Sequence, residues 1–101
     1  MYGNIIPDND KSPEERLWWA VLLHFVRDYI EIAERASGEI SRKGYVHRNT
    51  HAQIRLLDHH AASVWLAQVC EYVGWHQRTL IGNLERIKEL RNVKNYEVEA
   101  P

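Results

Sequence analysis

Cysteine is almost absent from this 101-residue sequence, and the usual catalytic and metal-binding motifs are missing as well. The single cysteine, Cys70, cannot form a disulfide within the chain. The six histidines fit no standard zinc spacing. There is also no glycine-rich phosphate loop and no nucleophile elbow. We therefore expect neither an enzyme nor a protein that carries a metal or another cofactor.

Long hydrophobic runs are missing too, because charged residues interrupt every apolar segment well before it could span a bilayer. The first residues lack the basic-then-apolar order of a secretory signal. Hydrophobic residues nevertheless make up 45% of the chain, with four tryptophans and five tyrosines, which is typical of a folded protein. The sequence predicts one cytoplasmic domain with a modest core.

Acidic residues are absent from one segment, so the net charge of −1 hides an uneven distribution. Residues 1–38 carry seven acids against four bases, whereas residues 40–57 contain four bases and no acid. Residues 76–94 carry five bases against two acids. Basic surfaces neutralise the phosphates of nucleic acids, although ordinary solvated helix faces have a similar composition.

The first helix begins with a clear signal. Ser12 is followed by Pro13 and, three residues later, by Glu15, which together form a capping box that satisfies the amides of the first turn. Gly38 can adopt the left-handed conformation that ends a helix. We therefore expect the first helix over 12–37.

This helix is apolar on two adjacent sides, which is more than one hydrophobic stripe requires. One side can pack on the rest of the chain, and the other is expected to cover a partner, most simply in a homodimer. The alternative is that the later helices wrap around it and no partner exists. The residues expected at this dimer or partner interface are Trp18, Trp19, Leu22, Leu23, Val26 and Ile30.

Helical spacing continues in the second half of the chain. The pattern predicts an all-α fold of three to five helices, in which the long N-terminal helix precedes a helix-turn-helix-like half. A lead-in over 1–11 is expected to be flexible, and a tail over 95–101 is expected to fray. Between them lies one helical domain over 12–94, whose later helical segments are predicted over 50–73, as one helix or two, and over 76–93.

The segment around Gly74 has the spacing of a helix-turn-helix. Cys70 is the small residue that lets two helices approach closely, and Gly74 makes the turn between them. The flanking positions are apolar, except that Asn83 stands where the last apolar residue is expected. Such a turn exposes the start of the second helix to the major groove of DNA. The side chains predicted to contact base edges are His76, Gln77, Arg78, Thr79 and Asn83.

Two runs of residues resemble a group of known proteins. The runs are Arg16-Leu17-Trp18-Trp19-Ala20-Val21-Leu22-Leu23 and Trp65-Leu66-Ala67-Gln68-Val69-Cys70-Glu71-Tyr72-Val73-Gly74. They resemble small phage and prophage proteins that join an RLWxAVL helix to a WL…VCExAG helix and then to a basic helix. The resemblance implies a bacteriophage or mobile-element origin and a place in the cytoplasm of a bacterial host. Members of the group have an Asp-Pro start after the glycine turn, where this chain has Trp75-His76-Gln77.

These observations lead to two main hypotheses for the function. The first is a dimeric DNA-binding protein that regulates transcription during phage growth. Its contacts to the phosphates of double-stranded DNA are assigned to Arg42, Lys43, Arg48, Arg86 and Lys88. The second is a protein-binding module that uses the aromatic first helix to inhibit a host defence or host polymerase component. A structural role in a virion or packaging assembly is a third and weaker hypothesis.

Overall fold

A computed structural model describes residues 12–101, and the predicted lead-in over 1–11 lies outside the described residues. The described part is all-helical, with 77% of its residues in four helices, as the periodicity predicted. Within it, no helix is both long enough and apolar enough to cross a membrane. The helices are α1 (Pro13–Lys43), α2 (Arg48–Ala61), α3 (Val64–Val73) and α4 (Gln77–Leu90).

Side-chain caps define the starts of α1 and α3. The Ser12 hydroxyl accepts a hydrogen bond from the Glu15 amide, and the Glu15 carboxylate accepts one from the Ser12 amide, so the predicted capping box forms. Ser63 caps α3 in a similar way, because its hydroxyl accepts from the Leu66 amide at 3.1 Å. The segment predicted over 50–73 is therefore two helices, separated at Ala62 and Ser63.

α1 continues beyond Gly38, so the predicted end of the first helix is wrong. The next turn is held by tertiary contacts: the buried Glu39 carboxylate accepts hydrogen bonds from the His47 amide and the Thr50 hydroxyl, both at 2.9 Å. Thr50 was predicted to begin the second helix, but it lies inside the first turn of α2. α1 ends instead at Gly44, whose φ of 82° is left-handed.

The tail over 95–101 was predicted to fray, but it packs on the connection between α1 and α2. Val46 and Val98 form an isolated parallel bridge, in which the amide and the carbonyl of Val46 each make a 2.8 Å hydrogen bond to the tail. The Glu99 carboxylate accepts a hydrogen bond from the Arg48 amide at 3.2 Å. Glu99 therefore satisfies an amide at the N-terminus of α2. His47, the residue before the helix, makes no capping hydrogen bond with its own side chain.

α4 ends at Leu90 rather than at 93. The chain reverses at Asn92, whose φ of 58° is left-handed, and the Val93 amide then donates to the Lys88 carbonyl at 2.9 Å. This turn places the Val93 side chain in the core, whereas Leu90, the last residue of α4, is 71% exposed.

α1 runs the length of the molecule, and the other elements pack on two parts of it. Its N-terminal part packs with α3 and the start of α4, and its C-terminal part packs with the start of α2 and with Val93. The α3–α4 turn and the α1–α2 connection therefore lie at different ends of α1. Cys70 is buried in the first cluster, as predicted. The first cluster contains Leu22, Phe25, Tyr29, Ala61, Leu66, Val69, Cys70, Val73, Leu80 and Leu84, and the second contains Ile32, Ala33, Ala36, Val46, Ile54 and Val93.

Two glycines lead to opposite predictions for stability. Gly82 lies inside α4, and a Cβ added there meets no atom within 4 Å. Gly82→Ala should therefore stabilise the fold by about 1 kcal/mol, because alanine is the better helix former. A Cβ added at Gly74 also meets no atom within 4 Å, but Gly74 has a left-handed φ of 80°. Gly74→Ala should therefore destabilise the fold by about 1–2 kcal/mol, because residues with a Cβ are strained in that conformation.

Thermal unfolding measures both effects, since about 1 kcal/mol shifts the midpoint of a domain of this size by about 4–8 °C. A Gly82→Ala protein that melts below the wild type would contradict the open environment described for this position.

Candidate nucleic-acid interface

The turn between α3 and α4 is closed by backbone hydrogen bonds. Gly74 is left-handed, and its amide donates to the Glu71 carbonyl at 3.2 Å. The Trp75 amide donates to the Cys70 carbonyl at 2.8 Å, which completes a Schellman-type helix end. The Trp75 ring packs edge-on against Trp19 of α1, with 5.6 Å between the centroids. The turn is thereby anchored to the longest helix.

Gln77, a predicted base contact, is engaged inside the fold. Its amide nitrogen donates to the carbonyls of Ala61 at 2.8 Å and Ser63 at 2.9 Å, so both of its N–H groups are used. These carbonyls belong to the last residue of α2 and to the connection between α2 and α3. The geometry corrects the prediction: Gln77 positions the start of α4. Nothing in the sequence indicates this role, because the two acceptors are distant in the chain.

The other predicted base contacts lie on the surface of α4. His76, Arg78 and Thr79 are exposed at its N-terminus and line a concavity of about 480 Å³ together with Gln77. Asn83 is exposed as well, and it follows Thr79 by four residues on the same side of the helix. The start of α4 is therefore exposed to solvent on this side.

Arg86 is the predicted phosphate contact that shares this surface. It is exposed and lies seven residues after Thr79, so both project from a similar side of α4. Within residues 12–101, neither Arg78 nor Arg86 forms an ion pair. The acids of α4 are neutralised by other bases, because Glu85 pairs with Lys88 and Lys94, and Glu89 pairs with Lys94. The exposed surface of α4 keeps its positive charge for this reason.

Lys88, in contrast, is not available to a phosphate. Its side chain is 13% exposed, and its ammonium contacts Asp58 at 3.2 Å and Glu85 at 3.1 Å. Burial alone lowers the pKa of Lys88, but the hydrogen bond to Glu85 and the charge of Asp58 outweigh burial and raise it. The Tyr29 hydroxyl donates to the other Asp58 oxygen. The prediction for Lys88 is thus corrected from a phosphate contact to part of an internal network.

The remaining predicted phosphate contacts lie at the other end of α1. Arg42 follows Trp19, which packs on the α3–α4 turn, by 23 residues of continuous helix, or about 35 Å. Lys43, the last residue of α1, and Arg48, the first residue of α2, flank the α1–α2 connection, and all three are exposed. The structure does not bring them together with the start of α4. The hydrogen bond from the Arg48 amide holds the pKa of the tail's Glu99 below its usual range.

The residues predicted at a dimer or partner interface differ in how far they are exposed. Leu22 is 0% exposed in the core, so its assignment to an interface is corrected. Trp18 stacks on Tyr72 at 5.6 Å and meets Trp65 edge-on at 6.2 Å. Leu23 is exposed. The other predicted residues, Trp19, Val26 and Ile30, are half-buried.

Three packed rings form what we call the aromatic surface, which consists of the half-buried Trp18 and the exposed Trp65 and Tyr72. Trp65 is 44% exposed and Tyr72 is 59% exposed, which is unusual for side chains of this size. The surface continues into a groove of about 510 Å³ that Trp65 lines together with Val21 and Phe25. Sequence reasoning did not assign Trp65 or Tyr72 to an interface, because both fit the helical spacing of a core-facing pattern.

No protein-family model, curated protein or solved structure matches the chain. The resemblance to small phage and prophage proteins stays a prediction, and the function has to be argued from the geometry. Within residues 12–101, no group of three or more His, Cys, Asp or Glu side chains is arranged to hold a metal ion.

The network around Asp58 predicts a loss of stability at alkaline pH. Burial, the hydrogen bond to Asp58 and nearby negative charge raise the pKa of Tyr29 far above its usual value near 10. In the unfolded chain Tyr29 ionises near pH 10, whereas in the folded chain it stays protonated. The stabilisation from this group is present below pH 10 and should be lost progressively as the pH rises beyond it.

Urea unfolding between pH 8 and pH 11 checks this expectation. Tyr29→Phe should lose less stability over that range than the wild type, because phenylalanine does not ionise. Tyr45→Phe, which leaves the Asp58 network intact, is the matched control. Equal pH dependence in the wild type and in Tyr29→Phe would show that Tyr29 does not cause the loss.

Proposed function

We propose that the chain is a DNA-binding protein that uses the α3–α4 unit as a helix-turn-helix and regulates transcription as a homodimer. The observation that carries this proposal is the exposed, positively charged start of α4 beside the Gly74 turn. Helices presented in this way enter the major groove with their N-terminal residues against the base edges. The resemblance to small phage and prophage proteins supports a role during phage growth in the cytoplasm of a bacterial host.

The residues of α4 take different roles in this proposal. Arg78 is suited to a bidentate contact with guanine, and Thr79 and Asn83 supply further hydrogen bonds to base edges. Arg86, farther along the helix, contacts phosphate. The exposed Gly82 carries no side chain, so the backbone of α4 can approach the walls of the groove closely. His76 completes the contact surface at the N-terminus.

The basic end of α1 has a separate role in the same proposal. Arg42 lies about 35 Å from the α3–α4 turn along α1, with Lys43 next to it and Arg48 at the start of α2. This length is close to the repeat of about 34 Å between successive major grooves. Their phosphate contacts therefore fall about one turn of the duplex away from the base contacts.

DNA binding measured against salt concentration tests this proposal. Fluorescence anisotropy with a labelled duplex should show affinity that falls steeply with added KCl, because bound phosphates release counterions. Arg86→Ala should weaken binding to every duplex and reduce the slope of log K against log salt by about 1. Arg78→Ala should cost about tenfold or more for a preferred sequence, since a good base contact is worth about 1–3 kcal/mol.

Arg27→Ala is the matched control, because Arg27 is an exposed arginine of α1 that forms no ion pair within residues 12–101. No binding, or affinity that does not change with salt, would reject the DNA-binding proposal.

The homodimer is proposed to form through the aromatic surface. One recognition helix makes few contacts, and proteins of this kind bind two half-sites as dimers. Trp65 and Tyr72 of α3 provide exposed apolar area beside the half-buried Trp18 of α1, whereas the proposed DNA contacts lie on α4. Dimerisation there leaves the start of α4 accessible in both copies.

Sedimentation equilibrium tests the dimer. The wild type should show twice the monomer mass, and Tyr72→Lys should shift it toward the monomer, because it places a charge among the packed rings. Leu90→Lys, at an exposed leucine outside the aromatic surface, is the matched control and should remain dimeric. A wild type that stays monomeric at all concentrations would reject the dimer.

The same surface favours a second candidate function, a protein-binding module that inhibits a host defence or polymerase component. Tryptophan and tyrosine are the residues that most often anchor such contacts. A monomeric wild type without salt-dependent DNA binding would favour this candidate over the first.

A further inference from the structure

The tail over 95–101 is acidic, and it packs beside residues that are proposed above to contact DNA phosphates. Its charged residues are Glu97 and Glu99, and it contains no base. Lys43 and Arg48, two of the proposed phosphate contacts, flank the α1–α2 connection on which the tail lies. An acidic segment of the chain therefore occupies the surface where the proposed function places a phosphate.

The Glu99 carboxylate makes a contact there that is typical of a bound anion. It accepts a hydrogen bond from the Arg48 amide at 3.2 Å, at the N-terminus of α2, and it lies 3.5 Å from His47 Nδ1. The amides at the start of a helix favour negatively charged groups, whether carboxylate or phosphate. The same hydrogen bond keeps the pKa of Glu99 below its usual range, so this carboxylate is ionised at neutral pH.

The attachment of the tail to the α1–α2 connection consists of surface contacts. The Val46 amide donates to the Glu97 carbonyl, and the Glu99 amide donates to the Val46 carbonyl, both at 2.8 Å. Val98, between the two glutamates, is 38% exposed, and the Glu99 side chain is 39% exposed. Segments held by a few exposed hydrogen bonds open locally while the core stays folded. Residues 97–101 can therefore leave this surface without unfolding the four helices.

We propose that the tail is an autoinhibitory segment, in which Glu97 and Glu99 cover the basic end of α1 until the phosphates of a DNA duplex displace them. The inference rests on the DNA-binding function proposed above, and it names a regulation of that site. A carboxylate and a phosphate compete for the same amide and for the same positive charge, so each weakens the binding of the other by an equal factor. Because phosphate contacts carry no sequence information, the tail lowers the affinity for every duplex.

Duplex binding by the tail variant Glu97→Gln/Glu99→Gln, followed by fluorescence anisotropy, tests the inference. Glutamine keeps an oxygen that accepts hydrogen bonds, but it removes the negative charge. The affinity should rise about fivefold or more, which is the low end of the coupling between two binding events. Circular dichroism checks that the variant is folded.

Asp28→Asn/Glu31→Gln is the matched control, because it removes two exposed acids of α1 that form no ion pair within residues 12–101. Glu31 precedes Arg42 by about 16 Å along the helix, and charges farther apart than about 10 Å are largely screened in 0.1 M salt. The control should therefore bind DNA with nearly the affinity of the wild type.

Amide hydrogen exchange followed by NMR shows directly whether the tail leaves. Saturation of the wild type with duplex should make the Glu99 amide exchange about tenfold faster or more, because its hydrogen bond to Val46 is lost. The His47 amide is the internal reference. It donates to the buried Glu39 carboxylate, which the tail does not supply, and it should stay protected.

The possible failures separate this inference from the function on which it rests. A wild type that binds DNA with no change at the Glu99 amide, or with the same affinity as the tail variant, would overturn the autoinhibitory role and leave DNA binding in place. An equal gain of affinity in the control would also overturn it, because net charge would then explain the gain. If neither the wild type nor the tail variant binds any duplex, the DNA-binding function is rejected and this inference with it.

Discussion

The Asp58 carboxylate joins three helices, and the arrangement of the rest of the chain depends on it. Tyr29 of α1 donates to one of its oxygens, and Lys88 of α4 contacts the other from the opposite side. The Asp58 side chain is 38% exposed, whereas the Lys88 side chain is 13% exposed and has its ammonium satisfied by Asp58 and Glu85. The network therefore ties α1, α2 and α4 together at this carboxylate.

The start of α4 is positioned by contacts on both of its sides. Gln77 donates hydrogen bonds to the carbonyls of Ala61, at the end of α2, and of Ser63, before α3, and Trp75 packs against Trp19. Because these two residues face inward, Arg78 and Thr79 project outward at the N-terminus of the helix. A recognition helix needs this combination, since side chains that read bases must be held by neighbours that do not.

Pairing, rather than composition, decides where positive charge is available on this protein. The segment over 76–94 is rich in bases, yet Lys88 and Lys94 are bound to glutamates and Asp58, and Arg91 is bound to Glu34. Arg78 and Arg86 keep their charge accessible. A count of bases along the chain cannot separate these two groups, because the acids that neutralise a base come from other turns and other helices.

Local signals in the sequence determined the helical class, the capping box at Ser12, the glycine turn at Gly74 and the burial of Cys70, because each depends on residues within one or two turns. The docking of the tail and the roles of Gln77 and Lys88 were decided only by the tertiary structure. Each of those three depends on a partner far away in the chain: the tail is bound by Val46, Gln77 by Ala61, and Lys88 by Asp58. Periodicity and spacing carry no information about such pairs, since they become neighbours only when the helices pack.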